Sequence, residues 1–402
     1  MASVAAPQQM RLGARLDFFD QLGIDYEVGA DAALTWPTAD ELAGLVSQWH
    51  VFEGVRVFTR VRPGRVVRAN GSVALPFDPD EALRNLYSEA YRRDRGRRFA
   101  ARAYYAARPL LPRAVQLALR RSFARAQGLP AFPSWPVETA ADDLAQLLLG
   151  LAGEAVGTAV TPAPTWPDGR SWALVLTHDV ETGAGVEAVE RVRRLEDELG
   201  FRSSWNFVPE RYETPEELVS SLVQGGHEIG VHGLRHDGRD LASLRLLRRR
   251  LPGMRAAAQR WGAVGFRAPA TQRRWEWMPL LGFEYDTSYP DTDPYEPQPG
   301  GCCTWLPFFN GDLVELPITV PQDHTVFEIL GHQDETLWVE KIEFLRRRGG
   351  MALVLTHPDY LGDGSPALAA YERLLVRYRD DETAWRALPR DVAAWWRRRV
   401  GR

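Results

Sequence analysis

The nine residues Ala173-Leu174-Val175-Leu176-Thr177-His178-Asp179-Val180-Glu181 decide how this chain is read. The four apolar residues at the front form a run too short for a helix and bounded by polar positions, the mark of a strand buried on both faces. Those that follow include an imidazole and two carboxylates. If the strand belongs to a parallel sheet, these groups stand at its C-terminal end, where such folds keep their chemistry.

Downstream the alternation is regular. A helical pattern over 186–199 stops at Gly200, and an apolar run covers Ser203 to Val208. Thr214-Pro215-Glu216-Glu217 then opens a helix with a capping residue, Pro at the first helical position and Glu at the third. Strand patterns at 228–231, 264–267, 283–286, 313–316 and 351–356 alternate with helical ones at 240–261, 275–281, 335–348, 366–379 and 383–399. Repeated βαβ units of this spacing predict an α/β fold with a parallel sheet or barrel over residues 171–402.

Residues 1–170 have another texture, with Trp, Pro and Arg clusters and weak periodicity. Short strands are expected in 51–75 and helices over 81–107, 112–126 and 139–151, which makes a smaller α+β region of unassigned function. The division agrees with the 402 residues, which predict two domains, or three small ones, at roughly 100–200 residues each. Hydrophobic residues at 45% and charged ones at 25% are an ordinary globular mixture, and a net charge of −4 gives no global attraction to nucleic acid.

Lys341 is the sole lysine; every other basic side chain is arginine, which reads as a genomic preference. Arg-rich stretches at 92–102 and 245–255 read as solvated helix faces, although an anionic glycan, a sugar phosphate or a membrane surface would also suit them. Trp135, Trp166, Trp395 and Trp396 read as packing residues. Cys302 and Cys303 are adjacent, so they are expected to be inert thiols, with neither a disulfide framework nor a Cys-rich zinc site. No apolar run reaches eighteen residues, and Met1 to Asp20 lacks a secretory pattern, so neither a transmembrane segment nor export is expected; the predicted location is cytoplasmic.

The strand ends converge. Asp179 and Glu181 follow the first strand, His232-Gly-Leu-Arg-His236 the third, Arg267-Ala-Pro269 the fourth, Asp286-Thr-Ser288 the fifth and His357-Pro-Asp359 the last. His178, His232, His236 and His357 are four of the eight histidines in the chain. On one helical turn, or a loop approximating it, His232 and His236 can reach the same ion, and with Glu181 they make a three-ligand site with an open position. Hydrolysis there needs a base and an acid: Asp179 is the candidate base, His357 the candidate acid. Arg267 would hold the base ionised, and Asp286 would orient the acid histidine. The alternative for Arg267 and Asp286 is an ion pair bracing two loops. His178 is either a packed neighbour or a displaceable ligand. The zinc-protease helix motif is absent, because the histidine after His227-Glu228 comes one residue too late.

Taken together, these residues resemble the polysaccharide deacetylases of carbohydrate esterase family four, the NodB-homology domain. Thr177-His178-Asp179 looks like the first motif, His232 and His236 the second, Arg267-Ala-Pro269 the third, Gly282 to Ser288 the fourth and Leu355-Thr-His357-Pro the fifth. The resemblance runs from about Trp172 to Trp396. It implies a distorted (β/α)7 barrel, a divalent metal, usually zinc, and removal of N-acetyl groups from amino sugars in a carbohydrate substrate. This chain departs in the first motif, where Val180 replaces the usual ligand Asp and Glu181 stands one position on, leaving either Asp179 or Glu181 as the ligand. It departs again after the third, at Ala270-Thr271. Trp305 or Leu316 could line an acyl pocket. Two other functions fit the same residues: an amidohydrolase acting on a non-sugar amide, and a catalytically silent glycan-binding barrel.

Overall fold

A computed structural model describes residues 33–69, 71–92, 118, 120–122, 124, 128–157, 159–160 and 162–401. In the N-terminal part, β1 (Ala33–Thr35), β4 (Val67–Ala69) and β5 (Ser72–Ala74) form one small sheet and β2 (Gln48–Phe52) pairs antiparallel with β3 (Val55–Thr59). Helices α1 (Pro79–Tyr87) and α2 (Ala140–Val156) cover them, with Phe77, Leu86, Leu144 and Leu148 in a shared core. The Arg-rich pattern expected over 81–107 is helical only to Tyr87, and its residues 93–107 lie outside the described residues, as does most of the 112–126 helix.

From Trp172 onward seven parallel strands make the barrel. β6 (Trp172–Val180) pairs with β7 (Ser203–Phe207), then in order come β8 (Glu228–Val231), β9 (Gly265–Phe266), β10 (Tyr285–Asp286) and β12 (Leu313–Glu315). β13 (Met351–Thr356) pairs along the other edge of β6, and β11 (Phe308–Asn310) lies antiparallel against β12. The chain leaving β12 closes the ring, where the Val320 N–H donates to the Leu353 carbonyl at 3.2 Å. Every residue of β6 is buried, because helices pack outside it and the barrel core inside. The fold is thus a distorted (β/α)7 barrel, as expected. The distortion is visible in β14 (Ala384–Arg386), which pairs with the first half of β6 while β7 takes the second.

The helices are α3 (Gly183–Glu198), α4 (Glu216–Gln224), α5 (Leu244–Trp261), α6 (Thr336–Arg347), α7 (Pro366–Tyr378) and α8 (Pro389–Arg399). Thr182, Ser243 and Ser365 cap α3, α5 and α7 through their hydroxyls. α4 corrects one expectation: it begins at Glu216 after an extended Pro215, and the buried Thr214 hydroxyl makes no capping bond. The helical pattern at 275–281 is only a short 3-10 turn, Met278–Leu281, and 383–399 is a strand followed by a helix. Trp305 and Leu316 are packed in apolar cores, Trp305 edge-on to Phe344, so neither lines an open pocket.

Buried polar contacts join the N-terminal part to the barrel. Arg273 makes a bidentate pair with Glu89 at 2.5 and 2.8 Å, and the Tyr91 hydroxyl donates to the Gly301 carbonyl. Lys341, almost wholly buried, donates to Asp291 and to the Pro136 carbonyl, both at 2.6 Å. Cys302 belongs to the barrel core and Cys303 to the N-terminal core. No helix among the described residues is long and apolar enough to cross a membrane.

Candidate functional site

Register sets the site. Val180 pairs with Phe207, Phe207 with Val231 and Val231 with Phe266, so the residues just beyond these positions reach one rim. The ligand atoms of Glu181, His232 and His236 all lie within 4.8 Å of one another. His232 follows β8 directly, and its Nδ1 faces the Arg267 carbonyl at 3.0 Å. A carbonyl only accepts, so Nδ1 carries the hydrogen and Nε2 presents its lone pair to the site. Burial lowers the His232 pKa to about 4, which keeps the ring neutral.

His236 is brought alongside by a kinked loop rather than a helical turn. Gly233 and His236 take φ of 64° and 53°, the second costing on the order of 1–3 kcal/mol for a non-glycine residue. The two rings stand 5.1 Å apart. His236 Nε2 lies 2.9 Å from Glu181 Oε1, while His232 Nε2 is buried without a hydrogen-bond partner. Two imidazole nitrogens and a carboxylate converging in this way could together hold a divalent cation, and the N/O chemistry is compatible with zinc. Burial alone would raise the Glu181 carboxyl; the neighbouring histidines outweigh it and hold it well below the usual range.

Asp179 stands beside this cluster. Its Oδ1 accepts from Asn206 at 2.9 Å and from Arg267 at 3.0 Å, while Oδ2 faces His232 Nε2 at 3.6 Å. Desolvation pushes its carboxyl up, but the Arg267 guanidinium, with His357, leaves it below its ordinary value. Arg267 is fully buried and fixed by Thr287 and Thr177, so its orientation is set before any ligand arrives.

His357 faces the same space, its Nε2 3.8 Å from Glu181 Oε1. Here the expected orienting residue is corrected. Asp286 does not touch His357; its two oxygens accept from the Ser288 hydroxyl and N–H, and that hydroxyl in turn accepts from the Ala268 N–H, which braces the Arg267 loop. The partner of His357 is Asp323, at 2.6 Å from Nδ1, with its other oxygen on the His357 N–H at 2.7 Å. Burial works to lower the His357 pKa, but Asp323 and the other carboxylates raise it to about 10. Asp323 opens a π-helical turn, His324–Leu330, and lies outside every strand end; the one local signal was a carboxylate just before an interrupted helical pattern.

His178, on the outer face of β6, resolves as a packed neighbour. Its nitrogens bond Thr356 and Glu196, and its ring stacks on Trp205 at 4.1 Å. Asp359, missed as well, accepts from the Glu181 N–H at 3.0 Å and from the Thr182 hydroxyl. A Cβ at Gly185 would sit 2.3 Å from its carboxylate, so this clamp requires glycine there.

No family model and no curated protein matches the chain. Solved structures resemble it weakly. A chain from Mycobacterium smegmatis assigned as a polysaccharide deacetylase is 24% identical over 59% of this chain and 95% of its own, with a TM-score of 0.48. Another so assigned, from Pseudomonas aeruginosa PAO1, is 19% identical over 60% and 95%, TM-score 0.49. The PuuE allantoinase is 19% identical over 59% and 94%, TM-score 0.47.

Proposed function

We propose that the protein is a metal-dependent hydrolase of carbon–nitrogen bonds that removes N-acetyl groups from an amino sugar in a polysaccharide, glycolipid or sugar-conjugate precursor. One observation carries the reading: a carboxylate locked by Arg267 and an imidazole locked by Asp323 flank a Glu–His–His cluster whose ligand atoms converge within 4.8 Å of one another.

A divalent cation held by Glu181, His232 and His236 would supply Lewis-acid polarisation of the amide carbonyl. Asp179, through the Oδ2 left free by Arg267 and Asn206, takes a proton from the attacking water. Arg267 keeps that carboxylate ionised and aimed. His357, protonated through Asp323, gives a proton to the leaving nitrogen. The two roles stay separate because Arg267 favours the charged form of one group and Asp323 that of the other, each against the cost of burial. Of the two acids left open by the sequence, Glu181 is the ligand in this proposal and Asp179 the base.

Acetate release from N-acetylglucosamine and its oligomers is the test. It should vanish on chelation and return with zinc or cobalt; no release with any divalent metal overturns the reading.

A further inference from the structure

The loop that carries His232 and His236 borders a cavity of about 420 Å³ lined by Glu210, Leu234, Arg235, Arg249, Arg250 and Gly253. That volume is in the range of small-molecule sites. Its lining sets three guanidinium groups against one carboxylate, in a chain whose net charge is −4. Helix α5 supplies the excess: from Leu244 to Trp261 it has arginine at 245, 248, 249, 250, 255 and 260 and neither Asp nor Glu. Arg245, Arg248 and Arg249 are exposed, and none has a carboxylate within ion-pair distance among the described residues.

The three lining arginines differ in what they can offer a ligand. Arg250 is a finished part of the floor, neutralised by Asp237 and Asp240 at 2.6 Å each. Asp240 also accepts from the Leu234 N–H, which ties the floor to the histidine loop. Arg249 carries an uncommitted charge. Arg235 pairs with Glu210 at 2.6 Å, but both are about half exposed, and such a pair contributes little. A phosphate or carboxylate that accepts bidentate hydrogen bonds can take Arg235 from Glu210 and use Arg249 as well.

We propose that this cavity is an anion subsite, which binds a phosphate or carboxylate group of the carbohydrate processed at the neighbouring rim. The link to a carbohydrate rests on the function proposed above; the anion site itself does not. Leu234 and Arg235 of its lining lie between His232 and His236 in the chain, so an anion bound there adjoins the loop that carries both histidines, and the site favours sugar phosphates or uronate-containing chains over neutral ones.

The full-length, zinc-loaded protein is titrated with inorganic phosphate and with glucuronate. Saturable binding of either supports the proposal, and which of the two binds identifies the source of the charge. Arg249→Gln and Arg235→Gln should each weaken binding by about tenfold, the size of a lost charge-assisted contact, with the folded state verified by circular dichroism. Arg194→Ala, on the distant helix α3, should change nothing. With substrates, kcat/KM for N-acetylglucosamine 1-phosphate should exceed that for N-acetylglucosamine, mainly through KM, and the ratio should fall in Arg249→Gln. Absence of saturable binding, or binding unaltered in both arginine variants, overturns the subsite. Binding that behaves as expected without acetate release from either sugar would leave the subsite standing and remove the deacetylase reading.

Discussion

Nδ1 of His357 lies 2.6 Å from Oδ1 of Asp323, and the other Asp323 oxygen accepts the backbone N–H of the same histidine. Ring and backbone are therefore held by one carboxylate, which raises the imidazole pKa to about 10. The acid form should persist across neutral pH, so the basic limb of the pH–rate profile is expected near pH 10. In Asp323→Asn the limb should move to lower pH, because the main cause of the raised value is gone. At pH 8 the variant should lose about 10²–10⁴-fold in kcat, the worth of a general acid, and regain part of it at pH 6. Steady-state rates from pH 5 to 11 check this.

Asp359 ties the same loop to the Glu181 backbone, so it should be felt in metal binding. Competition with a chromophoric chelator should show zinc held about 10–100-fold more weakly in Asp359→Ala, as for other residues that orient a ligand. Glu181→Gln should weaken it further, since the ligand charge is lost. Equal affinity in all three proteins would remove Glu181 from the ligand set.

Much of this was legible in the sequence. β6 and β13 open on continuous apolar runs, and the rule that residues after strand ends share one rim holds for Asp179, Glu181, His232, His236, Arg267 and His357. The same rule misplaced Asp286, because an Asx-type turn folds its carboxylate back onto Ser288; the Asp-Thr-Ser triplet is compatible with that turn. Asp323 was hidden because its contact is made across 34 residues by closure of the ring, and the carboxylate ahead of the interrupted helical pattern does not say which residue it meets. β14 was hidden for a related reason: it exists only where the early half of β6 leaves an edge unpaired.

Glu228, at the start of β8, is buried between the Tyr285 hydroxyl and the Arg390 N–H. Burial raises its pKa to about 7 from an ordinary 4.5. The folded state then holds a proton that the unfolded chain releases, so stability should fall as pH rises from about 4.5 to 7 and level off above. The full effect is on the order of 3 kcal/mol. Glu228→Gln should flatten this dependence, raising the thermal midpoint at pH 8 relative to the native protein and changing it little at pH 5.

Lys341→Met should destabilise the protein by about 3–5 kcal/mol, because it leaves Asp291 buried without its cation. Adding Asp291→Asn should recover part of that loss. Urea denaturation of the two variants checks the pair, and recovery in the double variant distinguishes stranded charge from lost packing. The sole lysine is thus a structural pin between the barrel and the chain at Pro136 rather than only a trace of genomic preference.

Cys302 and Cys303 are consecutive residues that belong to different cores, and both are free thiols. The two apolar interiors are separated there by one peptide bond. That bond is a natural divider for watching the molecule come apart: a thiol reagent added during gentle unfolding labels whichever interior opens first, and peptide mapping tells the neighbours apart. If the protein melts in a single step, both sulfurs become reactive together; if the N-terminal part loosens alone, Cys303 reacts while Cys302 stays silent.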